Sequence, residues 1–401
     1  MEVIVPLINV AVSCPTPTVT IYYNPPAFVE PVTKSIFQKS RYESYKYELL
    51  TLSGGEYIHA DWISNDVIDA NINIDFSRDV IGTASFNIKD NADINYLSDL
   101  IRPYYILNTD YSYPLGTYML SSPVKKSNGM ITTRDIAAFD LLLALEQDKT
   151  IVSASYAEGE YVTDIIESIL DSVGTWVKYD IYISDEILAE NVSYELGKSK
   201  LFIINSLLNM INYYPIWADG NGVFRAIPWD AEINIAYEFI DDELSIYKPE
   251  VDLTLDYANI YNRVVIINNQ LAEDTAPLYK VWDFEDEGLT THPFSYTSLG
   301  RYVTKIFQSE AVSQSYVDLR ARRELLKMLE LEESVNYEHA FISNRNNDGL
   351  LWQGDGYRFK NSSLEIDSIY KLESMSFNLK VGNTVKSKIK RIRSTYWNGN
   401  W

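Results

Sequence analysis

Ile68-Asp69-Ala70-Asn71-Ile72-Asn73-Ile74-Asp75-Phe76 alternates apolar and polar residues without a break. In an extended chain successive side chains point to opposite faces, so the apolar groups share one side while Asp69, Asn71, Asn73 and Asp75 share the other. This is the pattern of a one-sided antiparallel strand. Beyond Ser77-Arg78-Asp79 it resumes, with Ala84, Phe86 and Ile88 set against Ser85, Asn87 and Lys89, giving a second strand able to pair with the first. Asp93 then reads as the cap of a short helix over residues 94–101, which Pro103 ends. Further strand patterns cover residues 104–108, 116–121 and 131–139. Together they predict a first β-barrel-like unit carrying one helix.

The period changes in the middle of the chain. Val162, Ile165, Ile166, Ile169, Leu170 and Val173 recur at helical spacing, with Gly174 as the stop. A second helix over residues 200–212 buries Leu201, Ile204, Leu208 and Ile211. Short strands are expected at residues 176–183, 213–218 and 222–227, the last two joined by Asp219-Gly220-Asn221. An α/β insert fits this stretch. Strands return in the last third, at residues 264–267 and 302–309, before a helix over residues 317–331 for which Ser315 and Asp318 are the expected capping pair. Residues 335–342 and 356–359 follow, then a hairpin whose first arm alternates Met375, Phe377, Leu379 and Val381 and which Gly382-Asn383 turns. The first and last thirds thus share a plan of strands around one lateral helix.

Composition excludes several classes. With 56 acidic against 34 basic residues in 401, the net charge is −22. DNA binding draws on Lys and Arg neutralising phosphates, so this is not a nucleic-acid binder. The 46% apolar and 13% aromatic content supplies a core, which excludes disorder, and the 31 Tyr favour strands. A single cysteine, Cys14, leaves no disulfide framework, and His59, His292 and His339 are too scattered for a zinc cluster. No window is long and apolar enough for a transmembrane helix. Residues 11–14 approach a lipoprotein cleavage site, but no Lys or Arg precedes the apolar run.

Residues 1–37 hold three charges, Glu2, Glu30 and Lys34, together with six prolines. Proline at this density forbids a helix. So apolar a segment is expected either to lie against another subunit or its own body, or to form a poorly ordered leader. At the other end, residues 374–401 contain no acid and six bases, while the remaining 373 residues carry −28. Lys386, Lys388 and Lys390 share one strand face and, with Arg391 and Arg393, are the candidate interface residues; a plain solvated strand is the alternative.

Chemistry finds little support. Asp283, Glu285, Asp286 and Glu287 could offer oxygens to calcium, but their spacing matches no loop motif and a solvated charge run fits better. Asp219-Gly220-Asn221-Gly222 lacks the later Glu of a calcium loop and reads as a hairpin turn. No GxxxxGK phosphate loop occurs. Among 56 acids a hydrolytic carboxylate pair is neither supported nor excluded. Trp352, Trp397 and Trp401 could stack on sugars, although aromatic residues more often fill β-rich cores. No catalytic residue, cofactor or metal is expected.

Several strings, in order, resemble the baseplate-hub proteins of tailed phages of low-GC Gram-positive hosts, a group that includes the N-terminal hub module of tail-associated lysins. They are Tyr42-Glu43-Ser44-Tyr45-Lys46-Tyr47-Glu48-Leu49-Leu50, Ile81-Gly82-Thr83-Ala84-Ser85-Phe86, and Ile94-Asn95-Tyr96-Leu97-Ser98-Asp99-Leu100-Ile101-Arg102-Pro103-Tyr104. Tyr113-Pro114-Leu115-Gly116-Thr117-Tyr118-Met119 follows, then Glu195-Leu196-Gly197-Lys198-Ser199-Lys200-Leu201, Pro215-Ile216-Trp217-Ala218-Asp219 and Leu351-Trp352-Gln353-Gly354-Asp355-Gly356. The resemblance covers residues 40–393. It implies a mainly β fold with two tail-tube-like β-barrel domains, each with a lateral helix, plus a small α/β domain. The boundaries expected are an apolar arm (1–39), a first barrel (40–139), the α/β domain (140–250), a second barrel (251–393) and a tail (394–401). It further implies a homotrimeric structural protein of the virion tail tip, continuing the sixfold tail tube to a threefold tip. Its partners would be distal tail or tail-tube proteins and spike or fibre proteins, with genomic DNA passing through unbound. Excess carboxylates near such a lumen would keep DNA from sticking. The alternatives are a tail-associated peptidoglycan hydrolase, whose activity in this family resides in a C-terminal extension, and a host-glycan-binding tail protein.

Overall fold

The structure is a computed structural model that describes residues 41–108, 111–229, 235–243, 245–254, 260–268, 278–309, 314–330, 333–342 and 354–392. The first third forms β1 (Glu43–Ser53), β2 (Glu56–Trp62), β3 (Val67–Asp75), β4 (Gly82–Lys89), β5 (Leu100–Leu107), β6 (Tyr111–Pro114), β7 (Tyr118–Ser127) and β8 (Thr132–Asp140). The middle forms α1 (Leu142–Gln147), β9 (Ala154–Tyr156), α2 (Val162–Asp171), β10 (Lys178–Ile181), β11 (Val192–Tyr194), α3 (Lys200–Met210), β12 (Trp217–Ala218) and β13 (Val223–Ala226). The last third begins with β14 (Ile235–Ile240), β15 (Tyr247–Thr254), β16 (Arg263–Asn268), β17 (Tyr279–Asp283), α4 (Tyr296–Leu299) and β18 (Thr304–Ser309). It ends with α5 (Gln314–Glu330), β19 (Ser334–His339), β20 (Gly356–Asn361), β21 (Ile366–Asn378) and β22 (Val385–Ile392).

The two strand-rich thirds share one sheet, whose path runs β15-β19-β22-β21-β3-β4-β8-β7-β5-β1-β2. The join is the antiparallel ladder between β3 and β21. Ile72 faces Phe377 and Ile74 faces Met375, all four buried, while Asn71, Asn73 and Asp75 face Asn378, Ser376 and Ser374 on the other side. The alternation that predicts β3 therefore builds the seam: its apolar face joins the core and its polar face remains outside. β3 pairs with β4 as expected. Ile68 is the exception to the apolar set, half-exposed because the register slips between Val67 and Asp69, and such a bulge turns a side chain to the other face.

Residues 94–101 do not form the expected helix. Asn95 Oδ1 accepts from the Leu97 N–H at 3.1 Å, and Asp99 Oδ2 accepts from the Asn95 N–H at 2.8 Å. These side-chain bonds hold turns that compete with a helix. Leu100 and Ile101 then open β5, buried opposite Leu50 and Leu49 of β1.

The α/β reading of the middle holds. α2 buries Val162, Ile165, Ile166, Ile169 and Leu170, and α3 buries Leu201, Ile203, Ile204, Leu207, Leu208 and Met210. Ser199 caps α3 by accepting from the Phe202 N–H. β10 and β13 run parallel, with α3 in the crossover between them. The β12–β13 hairpin turns on Asp219, whose Oδ1 accepts from the N–H groups of Asn221 and Val223 at 2.9 Å each. Gly222 sits at φ +78°. Gly220 lies against β6, where a Cβ would stand 2.3 Å from the Pro114 carbonyl oxygen. Only glycine permits so close an approach.

β16, β17 and β18 form a separate three-stranded sheet rather than extending the large one. α5 covers one face, with Val317, Ala321 and Leu325 joining Val264, Ile266 and Phe284 in a second core. The helix of the last third thus lies on this small sheet. It begins at Gln314, so Ser315 is already helical, and Gln314 Nε2 donates to Asp318 Oδ1 at 2.8 Å. Arg323, 5% exposed, ties α5 to the insert by donating to Asn212 Oδ1 at 2.6 Å and Asn209 Oδ1 at 2.9 Å.

Candidate functional site

β22 presents Lys386, Lys388 and Lys390 outward and buries Val385, Ser387 and Ile389. The shared face is the expected one. The strand is not a sheet edge, however, because β19 and β21 pair with it on either side. Neighbouring strands also supply partners: Glu373 binds Lys388 at 2.8 Å and Lys390 at 2.7 Å, and Glu338 binds Lys386 at 3.5 Å. Glu338 also accepts from Lys248 at 2.5 Å and Thr384 at 2.7 Å. These donors pull its carboxyl down to about 2. Arg391 donates to the buried Glu333 at 2.6 Å, and Glu333 also accepts from the Tyr370 hydroxyl. Arg393 lies outside the described residues.

From these lysines the outer face continues across the seam. Lys386, Ser376, Asn73 and Thr83 stand in one cross-strand row, and Asn378, Asn71, Ser85 and Ala137 in the next. The Asn71 amide donates to Asn378 Oδ1 at 2.7 Å. At the margins Asp69 binds Lys380, Asp75 binds Arg78, and Asp135 binds Lys126 and Asn87. Arg78 and the Ser77 hydroxyl and N–H hold the Asp75 carboxyl below its usual range, overcoming the opposing effect of partial burial. These two rows are therefore mostly neutral amide and hydroxyl, and the charges beside them at Asp69, Asp75 and Asp135 are paired.

Beneath β22 lies the most constrained titratable group of the region. His339 is 1% exposed, with Nε2 2.8 Å from the Ser387 hydroxyl and Nδ1 2.8 Å from the Ala340 carbonyl oxygen. Burial pushes its pKa down to about 4. His292 is buried in the second core and the half-exposed His59 contacts Glu48, so the three histidines do not converge. No group of three or more His, Cys, Asp or Glu side chains able to hold a metal ion occurs among the described residues.

The acidic cluster is neither a calcium loop nor a solvated run. Asp283 pairs with Arg263 at 2.9 Å, Glu287 accepts from Trp282 Nε1 at 2.8 Å and from Arg322 at 2.7 and 3.0 Å, and Glu285 accepts from the Thr297 N–H. Spacing along the chain did not disclose these partners, because they come from other elements. Sequence reasoning also missed Asp140, fully buried, which accepts from the N–H groups of Gly82 at 2.5 Å and Leu142 at 3.0 Å. Burial pushes its carboxyl up to about 7 against those two bonds. The signal available was an Asp followed directly by a run of leucines, as at a helix entrance. Cys14, Trp352, Trp397, Trp401, the arm over 1–39 and the tail over 394–401 lie outside the described residues.

No protein-family model matches the sequence, and no curated protein matches it. Solved structures do match. A tail protein from Neisseria meningitidis MC58 is 13% identical with a TM-score of 0.62, over 87% of this chain and 97% of that one. The 43 kDa tail protein of prophage MuSo2 from Shewanella oneidensis is 11% identical with a TM-score of 0.58, over 88% and 100%. Prophage tail protein gp18 from Listeria monocytogenes EGD-e is 11% identical with a TM-score of 0.53, over 86% and 94%. The chain has the mainly β fold of phage tail proteins.

Proposed function

We propose that this protein is a non-enzymatic structural subunit of a phage-type tail, located at the virion tail tip, where three copies form a hub that continues the tail tube. The observation that carries the reading is the β3–β21 seam, which makes one sheet from the first and last thirds of the chain. Two strand-rich regions joined this way supply two wall segments per subunit, so three subunits supply six. The likeness in fold to solved tail proteins, over most of both chains, supports the same reading.

The outer face of the seam sheet is the surface proposed to face the conduit. DNA binds where unpaired cations replace its counterions. Here the lysines of β22 are held by Glu373 and Glu338, and the rows beside them are Asn, Ser and Thr. With Lys248, four lysines share these two carboxylates, so this patch keeps a positive balance, and it is the amide and hydroxyl rows beside it that give phosphates no grip. Tail-tube, distal tail and spike or fibre proteins are the partners of this reading. Mass measurement of the assembled protein tests it, followed by a density map of the assembly. A trimer with the seam face toward the axis is expected; a monomer under all conditions, or a map with that face on the exterior, overturns it.

A further inference from the structure

A pocket of about 280 Å³ opens where the first third of the chain meets the α/β insert, close to the lower end of the roughly 300–1,000 Å³ that ligand sites occupy. Its walls come from three places: Asp79 from the turn between β3 and β4, Glu146 from α1 with Lys149 just beyond it, and Lys198, Phe202 and Asn205 from α3 and the residues leading into it. The pocket thus holds two cations and two carboxylates, and among the described residues none of the four forms an ion pair. Beside them Asp148 and Lys200 do pair, at 2.6 Å. The walls are fixed by local bonds. Lys149 and Ser199 form an antiparallel bridge, and the Ser199 hydroxyl donates to Glu146 Oε2 at 2.7 Å while accepting from the Phe202 N–H at 3.1 Å. The Lys198 ammonium stands 4.5 Å from the centre of the Phe202 ring. Asn205 Oδ1 accepts from the Ile216 N–H at 2.9 Å, so its amide N–H groups are what it offers the pocket.

Opposite charges that line one pocket without pairing are complemented by a ligand that carries both signs at once. An anion alone would meet Asp79 and Glu146, and a cation alone would meet both lysines. Phe202, 45% exposed, adds an apolar surface beside the charges, and Asn205 adds donors for a carbonyl or carboxylate oxygen. A free amino acid carries both charges on a single carbon, too close to serve separate walls. A dipeptide sets them about 7 Å apart along its backbone and keeps a side chain for the ring. We propose that this pocket binds a short zwitterionic peptide, with its carboxylate at Lys149 and Lys198, its ammonium at Asp79 and Glu146, and an apolar side chain against Phe202. Every group involved belongs to one chain, so the proposal does not depend on the trimeric reading.

Equilibrium dialysis of radiolabelled alanyl-phenylalanine against the full-length protein tests it. Saturable binding of one peptide per chain is expected. Blocking either charge, in N-acetyl-alanyl-phenylalanine or in alanyl-phenylalanine amide, is expected to weaken binding about tenfold or more. Lys149→Ala with Lys198→Ala should cost the free dipeptide as much without weakening the amide, which has no carboxylate for the lysines to hold. Asp79→Asn should weaken the free dipeptide without weakening the N-acetyl form. Asp79 and Lys149 are exposed and Lys198 is partly so, which lets these variants keep the fold, whereas Glu146, which holds Ser199, is left intact. An absence of saturable binding, equal binding of either blocked peptide, or a lysine variant that loses the amide as strongly as the free dipeptide overturns the proposal.

Discussion

Arg323→Met removes the cation that ties α5 to the α/β insert. The guanidinium is 5% exposed and faces three acceptors: Asn212 Oδ1 at 2.6 Å, Asn209 Oδ1 at 2.9 Å and Glu324 Oε1 at 3.5 Å. Burial lowers its pKa, with Glu324 acting in the opposite direction. Methionine restores much of the packing volume but removes the guanidinium donor. A buried acceptor that loses its donor costs about 1–3 kcal/mol. Asn209 and Asn212 are only partly buried and recover part of this from water, while the Glu324 carboxylate, 7% exposed, loses a neighbouring cation. The expected loss is about 2 kcal/mol, or roughly 30-fold in the opening equilibrium of α5. Because the small sheet has its own core, the opening should be local rather than global. Native-state hydrogen exchange reads this directly, with protection falling in α5 and β16 and unchanged at β3 and β21. Unaltered protection in α5, or an equal loss at the seam, refutes the reasoning.

Charge reversal by Lys386→Glu, Lys388→Glu and Lys390→Glu sets new carboxylates against Glu373 and Glu338 of the same chain; thermal unfolding is expected at a lower midpoint than in the parent, and an unchanged midpoint contradicts the pairing. His339 has a folded pKa of about 4, below its ordinary 6.5, so folding releases protons. Its contribution is present above pH 6.5 and is lost as pH falls toward 4, amounting to about 3 kcal/mol; acid titration followed by tyrosine fluorescence is expected to show that loss, and a flat profile over the window contradicts it. Gly220→Ala drives a methyl group into the Pro114 carbonyl and is expected to cost about 1–3 kcal/mol, with faster proteolysis of the β12–β13 hairpin than in the parent; equal cleavage rates contradict it.

Legibility followed the range of the interaction. β3, β4, β21, α2 and α3 were readable because periods of two and 3.6 are local properties of sequence, and the predicted inward residues Ile72, Ile74, Phe86, Ile166 and Leu208 are buried. The turn over residues 91–99 was not readable, since Asp93 and the following apolar spacing fit a helix equally well until the Asn95 and Asp99 side-chain bonds decide the backbone. The separation of β16–β18 from the large sheet was also hidden, because a strand's sequence records its faces and not its neighbours. At the candidate site the common face of Lys386, Lys388 and Lys390 followed from alternation, whereas their pairing with Glu373 and Glu338 depends on strand order that no local pattern encodes.

Net charge and the charge of the seam face are separate quantities in this molecule, and on the proposed assembly the distinction bears on how a conduit would avoid its cargo. An acidic lumen repels DNA, but self-repulsion among three copies would then be greatest where their walls meet. The seam face offers another solution. Asn, Ser and Thr fill the rows between Lys386 and Ala137, and each carboxylate named at the border has a cation on the same chain. Polar groups of this kind remain hydrated without drawing phosphates, while the acidic surplus elsewhere on the chain keeps separate particles apart. On the proposed assembly, then, adding unpaired lysines to the seam face should slow DNA passage and adding acids should slow trimer formation, so the neutral wall is where the two requirements meet.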